Sequence, residues 1–130
     1  MKSFSNESVR ITAVRNQEEK SVEITFTGEL FIKNEKTEEQ LSNYFKYLYN
    51  EIYDKIKNIT MDFSELNTIS SYGIRILINW LKKFDNYNNN ASIEDKYKIN
   101  IVYDEQIEWQ ETTFLSLKEI FRNLAEFKKI

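Results

Sequence analysis

Two consecutive serines, Ser70 and Ser71, stand where a predicted strand gives way to a predicted helix. A serine at a helix N-terminus is commonly an N-cap, whose side chain accepts a hydrogen bond from a backbone N–H of the first turn. The same place suits a phosphorylated serine, because free N–H groups and the positive end of the helix dipole stabilise negative charge. The residues are therefore compatible with a structural cap and with a phosphoacceptor.

Phosphorylation at this junction would act as a switch. Two added negative charges disturb the fold little when the serine is exposed, whereas an unpaired charge pressed into a protein interface costs several kcal/mol. About 2.7 kcal/mol already corresponds to a hundredfold change in affinity. Arg75, one turn after Ser71, is either a partner for a phosphate or a carboxylate, or an exposed side chain without such a role.

One of the two glycines of the chain, Gly73, lies in the first turn of the same predicted helix. A glycine inside a helix costs up to about 1 kcal/mol relative to alanine. Its presence therefore predicts either a close approach of a neighbouring segment or a partner that needs access to the backbone. In an open α/β sheet, the carboxyl end of a strand that leads into a helix is also the usual functional edge.

The composition excludes several classes of chemistry. The 130 residues include no cysteine and no histidine, which removes disulfides, thiolate nucleophiles, Cys-ligated zinc and histidine general bases. A net charge of −3, spread along the chain, does not indicate a basic surface that would bind nucleic acid. The acidic residues Asp104, Glu105, Glu108 and Glu111 lack the spacing of a calcium loop, so we interpret them as solvated charge and expect no metal and no cofactor.

The length fits one domain, which we take as residues 1–130 with a core from about 9 to 127. No apolar run approaches the roughly 18 residues of a membrane span. The N-terminus also lacks the apolar stretch of a signal peptide. We therefore expect a cytoplasmic protein without membrane contact, present as a monomer or a weak dimer.

The spacing of apolar residues predicts the element order β-β-α-β-α-β-α. The first two strands are expected to form an antiparallel hairpin through a polar turn at residues 15–20, with the second strand ending at Gly28. The third strand has a continuous apolar tendency, which indicates a central strand that is buried on both faces. The four strands are predicted at Val9–Ile11, Val22–Phe26, Ile59–Phe63 and Ile99–Tyr103.

Three amphipathic helices complete the prediction, with apolar stripes at 41–56, 74–81 and 114–127. Thr37 is the expected N-cap of the first, with Gln40 at the capping-box position. The second, from Tyr72 to Phe84, is apolar on more than one side, which indicates packing against a neighbouring helix or a partner surface.

Residues 64–70 are expected to be a short link and residues 85–96 a loop. Because the strand–helix–strand repeats require parallel pairing, the fold class is one α/β domain with a mixed four-stranded sheet.

The serine junction resembles the signature of STAS domains, the anti-sigma factor antagonist family of bacterial regulators. Ser71 matches the phosphoacceptor of that family and Gly73 its glycine, while Ser70 and Tyr72 depart from the usual Asp or Asn and the usual small residue. Trp109 and the glutamine after it are similar to a Trp-Gln before the last helix in a STAS-like subgroup, and Trp109 is expected to seat that helix on the sheet. The matched runs are Asp62-Phe63-Ser64-Glu65-Leu66, Ile69-Ser70-Ser71-Tyr72-Gly73-Ile74, Gly28-Glu29-Leu30 (similar to the turn after strand two) and Trp109-Gln110.

The resemblance implies a non-enzymatic regulator that switches between protein partners. Unmodified, it would bind an anti-sigma-like serine kinase. Phosphorylation of Ser71, or less readily of Ser70, would release that partner, and a PP2C-type phosphatase would reset the switch. The residues expected to bind the partner are Ile69, Ser70, Tyr72, Gly73, Ile74 and Arg75.

Two alternatives remain open at this stage. In the first, the chain is a constitutive scaffold or a dimerising STAS module in which Ser71 is only a cap, an idea motivated by the departures at Ser70 and Tyr72. In the second, the chain is a STAS domain that binds a small ligand or nucleotide at the same edge of the sheet.

Overall fold

The computed structural model describes residues 1–130 and contains six strands, three α-helices and one short 3-10 turn at Ile93–Asp95. The strands are β1 (Phe4–Ser5), β2 (Val9–Asn16), β3 (Ser21–Leu30), β4 (Asn58–Ile69), β5 (Lys98–Tyr103) and β6 (Ala125–Lys129), and the helices are α1 (Glu35–Ile52), α2 (Ser71–Asn89) and α3 (Glu108–Ile120). One sheet holds all six strands in chain order. The first two pairings are antiparallel and the other three parallel, which confirms a mixed α/β fold.

The sheet has six strands and not the predicted four, because one strand was missed at each edge. β1 is only two residues long. β6 occupies the end of the predicted terminal helix, since α3 stops at Ile120 and Phe127 pairs in parallel with Ile101 of β5. Short apolar runs fit either period, and here the outer backbone groups of β5 gain hydrogen-bond partners when the chain is extended.

The central strand β4 is buried on one face of the sheet only. Its position between β3 and β5 is as predicted, but Ile59, Met61 and Phe63 are fully buried while Thr60 and Asp62 stay partly exposed. The prediction of burial on both faces was therefore wrong, because the buried residues of neighbouring strands lie in register with Met61 and place the whole core on one side. β4 also runs on to Ile69, through the segment predicted as a link.

The helices begin and end at residues other than the predicted ones. The N-cap of α1 is Asn34, whose Oδ1 accepts a hydrogen bond from the Thr37 N–H at 2.9 Å, so Thr37 lies inside the helix. α2 continues to Asn89. Its last turn is held by the buried Asn88, whose side chain bonds the backbone N–H and carbonyl of Tyr97 at 2.8 and 2.9 Å.

Tyrosines of α1 hold the N-terminal segment. The Tyr44 hydroxyl donates to the Lys2 carbonyl oxygen at 2.8 Å, and the Lys2 N–H donates to the Tyr47 hydroxyl at 2.7 Å. Burial, with a smaller contribution from neighbouring Tyr47, raises the pKa of Tyr44 to about 12. The neutral phenol of Tyr44 is therefore favoured by folding.

We expect the substitution Tyr44→Phe to flatten the loss of stability at alkaline pH. An unfolded tyrosine ionises near pH 10 and folded Tyr44 near pH 12. The stability due to this pKa difference is therefore complete below about pH 10 and is lost as the pH rises toward about 12. Thermal denaturation across this range measures the effect. The matched control Tyr72→Phe, at a half-exposed position, should keep the wild-type profile, and a wild-type profile in Tyr44→Phe would contradict the prediction.

Candidate functional site

The end of β3 forms one wall of the site through a bulge at Gly28. Gly28 has a φ of +102°, and the pairing with β4 shifts register between Gly28 and Glu29. The Glu29 N–H donates to the Ser8 carbonyl oxygen, and the Leu30 carbonyl oxygen accepts from the Ser70 N–H, both at 2.9 Å. β3 was predicted to end at Gly28, with a turn after it, but the strand continues to Leu30 and ties the start of α2 to the sheet.

Ser70 is the N-cap of α2. Its Oγ accepts a hydrogen bond from the Gly73 N–H at 3.2 Å, and its carbonyl oxygen accepts from the Ile74 N–H at 3.0 Å. Its own N–H is bound to Leu30, and its side chain is half-buried. The capping role therefore belongs to Ser70, and the expectation that Ser71 is the cap was wrong.

Ser71 is the first residue of α2, and it is exposed. In the first turn, the N–H groups of Ser71 and Tyr72 have no acceptor within the helix. No acidic residue lies in this turn. Tyr72 is 49% exposed, and the Arg75 guanidinium carbon lies 5.2 Å from the centre of its ring. We call Ser71, Tyr72 and Arg75 the serine surface: it presents a hydroxyl, an aromatic ring and a cation together.

Gly73 lets α2 approach the end of β3. It is buried, and a Cβ at this position would lie 2.9 Å from Ile69 Cγ1 and 3.0 Å from Leu30 Cδ2. The close approach predicted from this glycine is thereby confirmed. Ile69 and Ile74 are half-buried, so Tyr72 and Arg75 are the most exposed of the six residues predicted to bind a partner.

Gln110 holds the opposite side of the same sheet edge, a role that the sequence alone does not reveal. β4 pairs with β5 only as far as Asp62, so the next residues of β4 are paired with β3 on one side but have no strand beside them on the other. The fully buried Gln110 takes that place: its Nε2 donates to the carbonyl oxygens of Phe63 and Leu66 at 2.6 and 2.9 Å, and its Oε1 accepts from the Asp104 N–H at 2.8 Å.

Trp109 supports the same edge. Its indole Nε1 donates to the Leu66 carbonyl oxygen at 3.1 Å, and its ring packs against Phe114 of α3. The expectation that Trp109 seats the last helix on the sheet is confirmed. A Trp-Gln pair at the start of an amphipathic helix is the signal that pointed here, but only the unpaired carbonyls of β4 reveal what the glutamine does.

The acidic residues before and within α3 do not converge on one point. Glu105 forms an ion pair with Lys129 at 3.1 Å, and the Asp104 carboxylate accepts from the Gln106 N–H at 2.9 Å. No group of three or more acidic, cysteine or histidine side chains is placed to hold a metal ion. None of the helices has both the length and the apolar character that crossing a membrane requires.

Comparisons with known proteins find likeness in structure only. No protein-family model matches the sequence, and no curated protein matches it significantly. An anti-sigma factor antagonist from Mycobacterium paratuberculosis superposes with a TM-score of 0.60 at 12% identity, over 95% of this chain and 88% of the other. The STAS domain of an antisigma-factor antagonist from Rhodobacter sphaeroides gives 0.51 at 14% identity, over 75% and 88%.

A third solved structure is similar along the whole chain. It is an uncharacterized protein of the DUF3478 family with a SpoIIAA-like fold from Shewanella loihica, with a TM-score of 0.55 at 17% identity, over 100% of this chain and 91% of the other. Together the three structures confirm the fold that the serine junction predicted. The chain has the STAS-like fold found in anti-sigma factor antagonists and SpoIIAA-like proteins.

Proposed function

We propose that this chain is a non-enzymatic bacterial signalling regulator of the anti-sigma factor antagonist type. It binds a serine kinase or a related anti-sigma-like protein through the serine surface, and phosphorylation of Ser71 releases that partner. The observation that carries the proposal is the exposed Ser71 at the first position of α2, whose hydroxyl is not needed for the cap because Ser70 makes it. Two solved structures of the same fold are anti-sigma factor antagonists, which supports the general type.

The electrostatics of the α2 N-terminus favour a phosphorylated Ser71. The phosphoryl group would lie at the positive end of the helix dipole, beside backbone N–H groups without helical acceptors. Arg75 lies one turn away, and the first turn contains no acidic residue to repel the added charge. The free protein therefore tolerates the modification.

A docked partner would not tolerate it. A protein that covers Ser71 and Tyr72 removes water from the phosphoryl group, and an unpaired charge in an interface costs several kcal/mol. Tyr72 gives the surface a large apolar contact that the free protein leaves 49% exposed, and aromatic residues commonly dominate binding energy at interfaces. A PP2C-type phosphatase would restore the binding state.

The test uses a cognate serine kinase, to be identified among the genes that neighbour the gene for this chain. Incubation with ATP and mass-spectrometric mapping should place the phosphate on Ser71. We expect Ser71→Asp to weaken binding of that kinase about a hundredfold and to leave the free energy of unfolding within about 0.5 kcal/mol of wild type, as at other exposed positions. Titration calorimetry measures the binding, and urea denaturation measures the stability.

Ser70→Ala is the matched control for Ser71→Asp. It removes the cap and should cost about 1 kcal/mol of stability while leaving Ser71 available to the kinase. Phosphate found only at other residues, or equal kinase affinity for wild type and Ser71→Asp, would contradict the switch and favour the constitutive scaffold.

A further inference from the structure

A groove of about 170 Å³ lies between α1 and α2, and neither the cap nor the serine surface takes part in it. Its floor consists of Phe45 and Trp80, which are buried, and of Ile76, which is half-buried. Lys46 of α1 and Lys83 of α2 stand on its two rims, and both are exposed. The volume suits one large apolar side chain of another molecule.

The floor of the groove is held rigidly. The Trp80 indole Nε1 donates to the Phe45 carbonyl oxygen at 2.9 Å, which joins the two helices. The rings of Phe45 and Trp80 meet edge to face with centres 5.6 Å apart. A preformed surface of this kind loses little conformational freedom when it binds, which favours affinity. The second apolar side of α2 noted in the sequence is thus partly used in packing, and Ile76 is left at the surface.

The groove is positively charged, although the chain as a whole is negatively charged. No acidic residue lines it, although the chain carries a net charge of −3. Lys83 Nζ also lies 5.0 Å from the centre of the Tyr49 ring, so the ammonium group is positioned beside the groove. An apolar floor between two cations is complementary to an apolar side chain flanked by carboxylates.

The groove continues the serine surface along α2. Tyr72, Ile76, Asn79 and Lys83 follow one another at intervals of four, three and four residues, so they share one side of the helix. A partner that lies along this side of α2 would reach the serine surface and the groove together.

We propose that the groove receives an acidic segment of a partner protein, which inserts one large apolar side chain above Phe45 and Trp80 and places carboxylates beside Lys46 and Lys83. The inference rests on the proposed function for the kind of partner, a regulatory protein. The binding itself does not depend on the state of Ser71, so the two ideas can fail separately.

A phage-displayed library of short random peptides is the probe. Selection on the wild-type protein should enrich peptides that combine one large apolar residue with neighbouring Asp or Glu. In NMR spectra of the labelled protein, an enriched peptide should shift the Trp80 indole N–H signal and leave that of Trp109 unchanged. Lys83→Glu should weaken the peptide about tenfold or more, whereas Lys82→Glu, the same charge change beside the groove, should retain it. Added salt should also weaken it.

Three results of the peptide experiments would overturn the proposal: enriched peptides without acidic residues, equal loss of affinity in Lys82→Glu and Lys83→Glu, or shifts centred away from Trp80. Self-association that Lys83→Glu abolishes, seen by sedimentation, would overturn it in favour of a second copy of the chain. The Ser71→Asp variant separates the two proposals. The peptide should bind this variant as tightly as it binds the wild type, whether or not the kinase phosphorylates Ser71 of the wild type.

Discussion

Replacement of Gln110 by leucine is expected to lower the free energy of unfolding by about 2–5 kcal/mol, because it leaves buried polar groups without partners. The Phe63 carbonyl oxygen loses its bond to Gln110, as does the Asp104 N–H, while the Leu66 carbonyl oxygen keeps its bond to Trp109. Native domains are stable by only about 5–15 kcal/mol. The variant should therefore unfold at a much lower urea concentration, or fail to accumulate.

The control for this prediction is Gln106→Leu, the same change at an exposed position in the loop before α3. It should stay within about 0.5 kcal/mol of wild type. Gln110→Glu keeps the shape of the side chain but removes the N–H donors, and it should be as destabilising as Gln110→Leu. Wild-type stability in either Gln110 variant would show that the open edge of β4 does not need the glutamine.

Substitution of Gly28 by alanine is expected to cost about 3 kcal/mol or more, since strained backbone alone costs about 1–3 kcal/mol and a steric overlap adds to it. Gly28 has a φ of +102°, a conformation that residues with a Cβ rarely adopt. A Cβ here would also overlap the Ser8 carbonyl oxygen, a backbone atom that cannot rotate away. Urea denaturation measures the loss of stability.

The Gly28 substitution should also loosen the serine surface. The bulge carries Leu30 to the point where its carbonyl oxygen accepts from the Ser70 N–H. Relaxation of the bulge should therefore accelerate hydrogen exchange at the Ser70 amide more than at amides in the middle of α2.

Gly73→Ala is the comparison for Gly28→Ala. Its new Cβ would meet only side-chain atoms of Ile69 and Leu30, and alanine favours the helix by up to about 1 kcal/mol. We expect it to destabilise the protein by less than half as much as Gly28→Ala. Equal losses of stability in the two variants would contradict the view that the backbone is more constrained at Gly28 than at Gly73.

Much of the fold was predictable because it depends on local periodicity. The alternating residues of β2 and β3 and the three-and-four spacing of α1 predicted those elements and the antiparallel hairpin. Gly73 predicted the close approach of a neighbouring segment to α2. The Ser70–Ile74 run predicted the helix that begins there and, by resemblance, the STAS-like fold.

The predictions were wrong where the structure of one segment depends on contacts with a segment that is distant in the sequence. The choice between strand and helix for Ala125–Lys129 is decided by the open edge of β5, and the extension of β4 to Ile69 by its pairing with β3. Gln110 was noticed only as part of a resemblance, because the carbonyl groups that it binds lie more than 40 residues away in the sequence. No local pattern contains these contacts.

The amino-acid sequence by itself determined that a serine pair would open a helix at the end of a central strand in an α/β protein without cysteine or histidine chemistry. The tertiary structure decided which serine does what. The Leu30 carbonyl oxygen binds the Ser70 N–H and the Ser70 Oγ binds the Gly73 N–H, so Ser70 is the cap and Ser71 is exposed. That assignment depends on how far β3 and β4 extend side by side, which is a property of their pairing and not of either strand alone.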